Sequence, residues 1–144
     1  MAGVQDVESF LRRAYDLRKD SNVDAIMDLF APNATYHISG NDKASPLAAR
    51  VSGHGDLRAA LQRIVDHFDL VEYEIRNLVV QENRAAVHWT GTFRFRPNQE
   101  ILTSDLAHFW TIDAGKVVAL TEFCDTAHIA AVLASAKVTK DQPA

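Results

Sequence analysis

Two carboxylates, Asp105 and Glu122, interrupt apolar, strand-like stretches in the C-terminal half of the chain. Desolvation disfavours the charged form of a carboxylate, and a second carboxylate nearby disfavours it further. Such a pair can act as general acid and base near neutral pH. Isomerisation or aldol cyclisation next to a carbonyl needs a base of this kind. The plainer alternative puts both acids at a wet pocket rim, bonded to backbone groups or tyrosine hydroxyls. Tyr15 and Tyr36 could donate to a ligand oxygen, or be core tyrosines whose hydroxyls reach the rim. Arg18 could meet Asp105, Glu122 or an anionic ligand, or it could snorkel to solvent. Trp89 and Gly91 share one strand face, where the glycine either leaves a gap for a ring to line or marks a sheet bend.

Other chemistries find less support. The histidines are His37, His54, His67, His88, His108 and His128. None stands four residues from another on a helix, and His-Glu-x-x-His is absent, so neither a metal nor a cofactor is expected. Cys124 is the lone cysteine. It reads as a small inward-facing filler with no adjacent histidine to activate it.

The elements that must position these groups are legible from apolar spacing. Val7, Phe10, Leu11, Ala14 and Leu17 recur with helical period and predict a helix over Val4–Lys19. Asp20-Ser21-Asn22 ends it and caps a short second helix with Ala25, Ile26, Leu29 and Phe30 as its stripe. Pro32-Asn33 stops that helix, and 34–39 reads as a strand with Tyr36 and Ile38 facing inward. Residues 40–55 read as one long loop. Asp56 caps a third helix whose buried stripe is Leu57, Leu61, Ile64, Val65 and Phe68. Strands follow at 71–80, 85–96, 102–112 and 116–125, then a helical segment at 127–136. Thr139–Ala144 is expected to fray.

In the second of those strands Val87, Trp89, Gly91, Phe93 and Phe95 alternate with His88, Thr90, Thr92, Arg94 and Arg96. Asp113-Ala114-Gly115 signals a hairpin. A two-residue turn at Ala114-Gly115 would pair Thr111 with Val118, Phe109 with Leu120, Ala107 with Glu122 and Asp105 with Cys124. Asp105, Ala107, Phe109, Val118, Leu120, Glu122 and Cys124 would then share the concave face. His88, His108, Trp110 and Phe123 would lie on the convex face. That second apolar face predicts a homodimer through the convex sheet.

Composition sets the outer bounds. The 144 residues suit one domain, 1–144, with an ordered core at about 4–136. Apolar residues make up 47% and charged residues 24%. A net charge of −4 with scattered Lys and Arg argues against a nucleic-acid partner. No segment approaches the ~20 apolar residues of a membrane span. The acidic start carries no signal-peptide pattern, and a cytoplasmic location is expected. Helices first and a strand meander afterwards predict an α+β domain, its N-terminal helices packed on a curved antiparallel sheet around an apolar pocket.

Three segments carry a resemblance. Residues 24–35, DAIMDLFAPNAT, resemble the second helix and first strand of the nuclear transport factor 2-like superfamily. Residues 108–118, HFWTIDAGKVV, resemble its penultimate hairpin, and 121–125, TEFCD, the closing strand of the SnoaL-like, polyketide cyclase-like branch. The resemblance implies a cone-shaped, cystatin-like roll, a bent sheet wrapped round the helices, with a pocket between them and often a dimer through the convex face. It also implies which mechanisms to test. The ketosteroid isomerase positions, overlaid without gaps, fall on Ala14, Ala107 and Ile38, which lack the chemistry. The epoxide hydrolase set is matched only at Glu122. The single base of SnoaL-like cyclases resembles Glu122.

The reading is a small-molecule pocket with Glu122 as base and Asp105 as its partner. Tyr15, Arg18, Tyr36, Ile38 and Leu61 would line it from the helices and first strand. Trp89, Phe93, Phe109, Leu120 and Cys124 would line it from the sheet. The ligand would be hydrophobic and carbonyl-bearing. A non-catalytic binder and a dimeric interaction module remain the alternatives, since one fold hosts many functions.

Overall fold

A computed structural model describes residues 3–45 and 47–136. The end expected to fray, Thr139–Ala144, lies outside the described residues. The elements run α1 (Val4–Lys19), α2 (Val23–Met27), β1 (Phe30–Ile38), β2 (Ala49–Ser52), α3 (His54–His67), β3 (Phe68–Gln81), β4 (Arg84–Phe95), β5 (Glu100–Asp113), β6 (Lys116–Phe123) and α4 (Thr126–Ser135). One curved sheet holds the strands in the order β2-β1-β6-β5-β4-β3. The fold is α+β, as expected from the order of helical and strand periods.

Val7, Leu11, Ala14 and Tyr15 are the buried face of α1, at the 3.6-residue period that a single-sided helix requires. Arg18 continues that face one turn further. Leu57, Leu61 and Val65 do the same for α3. Asn22 caps α2 by accepting from the Ala25 amide at 3.1 Å, and Asp125 caps α4 by accepting from His128 at 3.1 Å.

Several boundaries differ from the sequence reading. Phe30 opens β1 instead of ending α2, because its amide-to-carbonyl neighbourhood is taken by β6: Val117 N donates to Leu29 O at 2.8 Å. The stretch 40–55 holds β2, which pairs antiparallel with β1 through Thr35–Ser52 to Ile38–Ala49. Gly53, with φ +86°, precedes α3, and Asp56 sits in its first turn. The sheet is not wholly antiparallel, since β1 runs parallel to β6.

The largest difference is register. Ala114 and Gly115 both have positive φ, +50° and +76°, which makes the tight turn whose twist suits a hairpin. Asp113 pairs Lys116 and Ile112 pairs Val117, but Thr111 then pairs Ala119. Val118 is an extra residue, a β-bulge. Beyond it Trp110 faces Leu120 and His108 faces Glu122. A one-residue slip moves every later β5 side chain to the opposite face relative to β6. Asp105, Ala107 and Phe109 therefore share the outer face, and Leu102, Ser104, Leu106, His108 and Trp110 the inner one.

Curvature has local causes. β3 carries bulges at Val71 and Arg76, and bulges bend the strand that holds them. Gly91 lies between two rings: a Cβ there would stand 2.6 Å from Phe93 and 2.9 Å from Trp89. The glycine makes room for these two aromatic neighbours to pack over the concave face.

Candidate functional site

The helices and the concave sheet enclose a cavity of about 110 Å³. α1 contributes Ala14, Tyr15 and Arg18, and α3 contributes Leu57, Leu61 and Ile64. Tyr36 and Ile38 enter from β1, Trp89 and Phe93 from β4, and Leu120, Glu122 and Cys124 from β6 and its end. Every one of the expected lining residues is thus brought together except Asp105 and Phe109.

Asp105 is on the other side of the sheet, with its side chain 70% exposed. There Thr90 Oγ1 donates to its Oδ1 at 2.8 Å, and His88 Nε2 lies 3.6 Å from its Oδ2. Phe109 is half exposed on the same face, edge-on to Phe123 with ring centroids 5.9 Å apart. The physical reason in both cases is the bulge at Val118.

The same bulge brings in His108, Trp110, Ser104 and Leu106, which the alternation counted from the turn had sent elsewhere or left unassigned. His108 is the consequential one. Tyr15 Oη lies 2.7 Å from His108 Nδ1, and His108 Nε2 lies 2.7 Å from Glu122 Oε1. The three side chains form one continuous hydrogen-bonded chain from α1 through β5 to β6. His108 and Glu122 are 7% and 15% exposed. The imidazole is walled by rings: Tyr15 stacks on it at 5.6 Å, and Trp89 and Trp110 pack at 5.2 and 5.4 Å. A signal for this phase was present, because Leu102, Leu106 and Trp110 recur with the two-residue period of a buried strand face.

Burial pushes the Tyr15 phenol well above its ordinary range, opposed by the Trp110 indole and reinforced by the charge of Glu122. Burial and the Glu122 charge raise Tyr36 likewise. Both phenols stay protonated and can donate. The Tyr15 hydroxyl meets Nδ1 of His108, and the Nε2 edge of the same ring meets Oε1 of Glu122, the donor in each contact being set by the imidazole tautomer. A buried chain of this kind is stronger than its separate bonds, since each polarises the next in a low-dielectric setting. It leaves the second oxygen of Glu122 free of the histidine. Burial, with Glu122 and Asp125 adding to it, pushes Cys124 up to about 12, so its thiol is a filler rather than a nucleophile at neutral pH.

Arg18 Nη2 donates to the Phe68 carbonyl at 2.7 Å, joining α1 to the start of β3. Burial lowers its pKa and the Glu122 charge works against that. It makes no ion pair with Asp105, which lies across the sheet. Among the described residues no three His, Cys, Asp or Glu side chains gather as a metal site requires. Among them too, no helix is long and apolar enough to cross a membrane.

Known structures share this architecture. A proposed isomerase from Rhodopseudomonas palustris superposes with a TM-score of 0.75 at 16% identity, covering 85% of this chain and 93% of its own. A proposed polyketide cyclase from Xanthomonas campestris pv. campestris gives 0.67 at 15% identity, covering 86% and 93%. A protein with a ketosteroid isomerase-like fold from Catenulispora acidiphila, solved in complex with trimethylamine, gives 0.71 at 12% identity, covering 94% and 97%. No curated protein matches the chain. The SnoaL-like domain matches residues 11–120, from the middle of α1 to the Leu120 wall of the cavity, and the chain belongs to the SnoaL-like domain family.

Proposed function

We propose that this protein catalyses acid/base chemistry on a small, largely apolar carbonyl compound, with Glu122 as the base. The observation that carries this reading is the buried Tyr15–His108–Glu122 chain on the cavity wall. A carboxylate so placed is oriented by one oxygen and can take a proton from carbon with the other. Returning that proton at a different carbon isomerises the compound, and attack by the resulting carbanion on a second carbonyl cyclises it. His108 takes the partner role expected of Asp105 and acts by positioning the carboxylate. At about 110 Å³ the cavity is smaller than the ~150 Å³ apolar cavity that holds one benzene, but it is partly open to solvent, so a short chain, or one ring reaching into its mouth, is the appropriate scale.

The test is exchange of α-protons for deuterium in D₂O, followed by NMR over a panel of small cyclic and aryl ketones. Exchange of at least one ketone should be accelerated, and Glu122→Gln should lower that acceleration by about 10²-fold or more, the usual worth of a general base. If no ketone exchanges faster, or Glu122→Gln exchanges as fast as the parent, the acid/base reading fails. The same cavity without turnover would make the protein a binder. The Catenulispora relative's complex with trimethylamine supports that second reading to the extent of a small molecule in a shared fold.

We further propose that the chain pairs with a second copy through the convex face, where Phe109 and Phe123 are 51% and 45% exposed and pack edge to face. A reducing, cytoplasmic setting suits the lone thiol of Cys124.

A further inference from the structure

Arg18 is the permanent cation among the cavity-lining side chains, and it is incompletely satisfied. Nη2 is used by the Phe68 carbonyl, whereas Nη1 is buried and has no hydrogen-bond partner among the described residues. A buried donor left unpaired costs stability, more so when it is charged. The charges that reach it do not engage it. Asp69 is held by Arg94 at 3.5 Å and Arg96 at 2.6 Å, and Glu122 gives Oε1 to His108. Arg18 lines the cavity with a spare donor, Nη1, that is itself closed off from solvent, so a ligand oxygen reaches it when the guanidinium turns inward; Glu122 keeps a second oxygen free of His108.

We propose that Arg18 is the oxyanion-binding residue of this cavity: its unpaired Nη1 receives the oxygen of a ring-sized, enolisable carbonyl ligand and holds the charge created there. This rests on Glu122 as the base. In the step, the C–H bond beside the carbonyl breaks and its proton forms an O–H bond on Glu122. The C–H electron pair becomes the C=C bond, and the carbonyl π pair moves onto oxygen as enolate. The negative charge passes from Glu122 to the ligand oxygen, so the number of charges in the buried site does not change. A fixed cation at the far end of that displacement stabilises the product of proton transfer more than the starting ketone, and such differential stabilisation is what lowers a barrier.

The experiment uses 4-nitrophenol, a planar oxyanion analogue that ionises near neutral pH and reports its ionisation by absorbance. It is titrated into the wild type, Glu122→Gln, and Glu122→Gln with Arg18→Met. Glu122→Gln imitates the protonated carboxyl and should bind the phenolate form at least about tenfold tighter than wild type. Adding Arg18→Met should weaken that binding by at least about tenfold. Arg18→Lys, which keeps the charge, should retain part of it and serves if the methionine variant does not fold. Equal binding with and without the Arg18 charge, a bound spectrum of neutral phenol, or no binding to Glu122→Gln would each overturn the proposal. If Glu122→Gln binds no tighter than wild type but loss of Arg18 still weakens binding, the base assignment falls and the oxyanion site stands.

Discussion

His108 and Glu122 are direct cross-strand partners on β5 and β6, and their side chains meet at 2.7 Å inside the cavity. They face each other because Val118 is bulged out of β6 between them and the turn. A perfect hairpin would have put Ala107 opposite Glu122 and sent the imidazole outside. One extra residue therefore selects the hydrogen-bonded Tyr15–His108–Glu122 chain over an isolated buried acid.

Removing the imidazole should be costly. His108→Ala leaves both Glu122 and Tyr15 buried without the imidazole that joins them. Loss of one partner from a buried pair costs about 3 kcal/mol or more. Urea denaturation should show a drop of that order, and His108→Ala combined with Glu122→Gln should recover part of it, since the stranded charge is gone. Strict additivity of the two changes would show that the pair is not coupled.

Deleting Val118 should remove the bulge and keep the register, because a regular two-residue hairpin without this residue pairs Thr111 with Ala119, Trp110 with Leu120 and His108 with Glu122. The deletion variant should fold, with near-ultraviolet circular dichroism and cooperative melting like the parent's. A variant that loses its spectrum and cooperative melting would show that the bulge does more than set this register.

Stability should fall in alkali. Cys124 titrates ordinarily at 9.0 and is pushed up to about 12 by burial in the fold. Between those values the unfolded chain has released the proton and the folded chain has not. The stabilisation is complete below about pH 9 and is lost as pH rises toward 12. Tyr15 and Tyr36, also raised, act in the same direction. Urea midpoints should decline above about pH 9, with a shallower decline for Cys124→Ala. A midpoint that stays level up to about pH 11 would contradict the burial of all three groups.

The outer face can be tested without a ligand. Sedimentation at micromolar concentration should give a dimer, and Phe109→Asp with Phe123→Asp should give a folded monomer. A wild-type monomer would remove the convex-face assignment.

The sequence by itself determined the helices, the meander and most of the cavity lining. Val7, Leu11, Ala14 and Tyr15 repeat at helical period, and Val87, Trp89, Gly91, Phe93 and Phe95 at strand period. Burial of one face writes those periods into the residue types. Glu122, Tyr36, Leu120 and Cys124 could be placed inward because their own strands keep phase. The apolar period of Leu102, Leu106 and Trp110 carries the phase of β5, but only the tertiary structure decided its register against β6, which sets His108 opposite Glu122. A bulge inserts a residue without altering local propensity, so nothing near Val118 marks the slip. β2 escaped for a similar reason, as its short pairing with β1 is decided by the partner strand rather than by its own residues. The contact between His108 and Glu122 joins residues fourteen apart, and the contact between Tyr15 and His108 joins residues ninety-three apart. Hydrogen bonds between groups so separated arise from how strands register and helices dock, which no local pattern encodes.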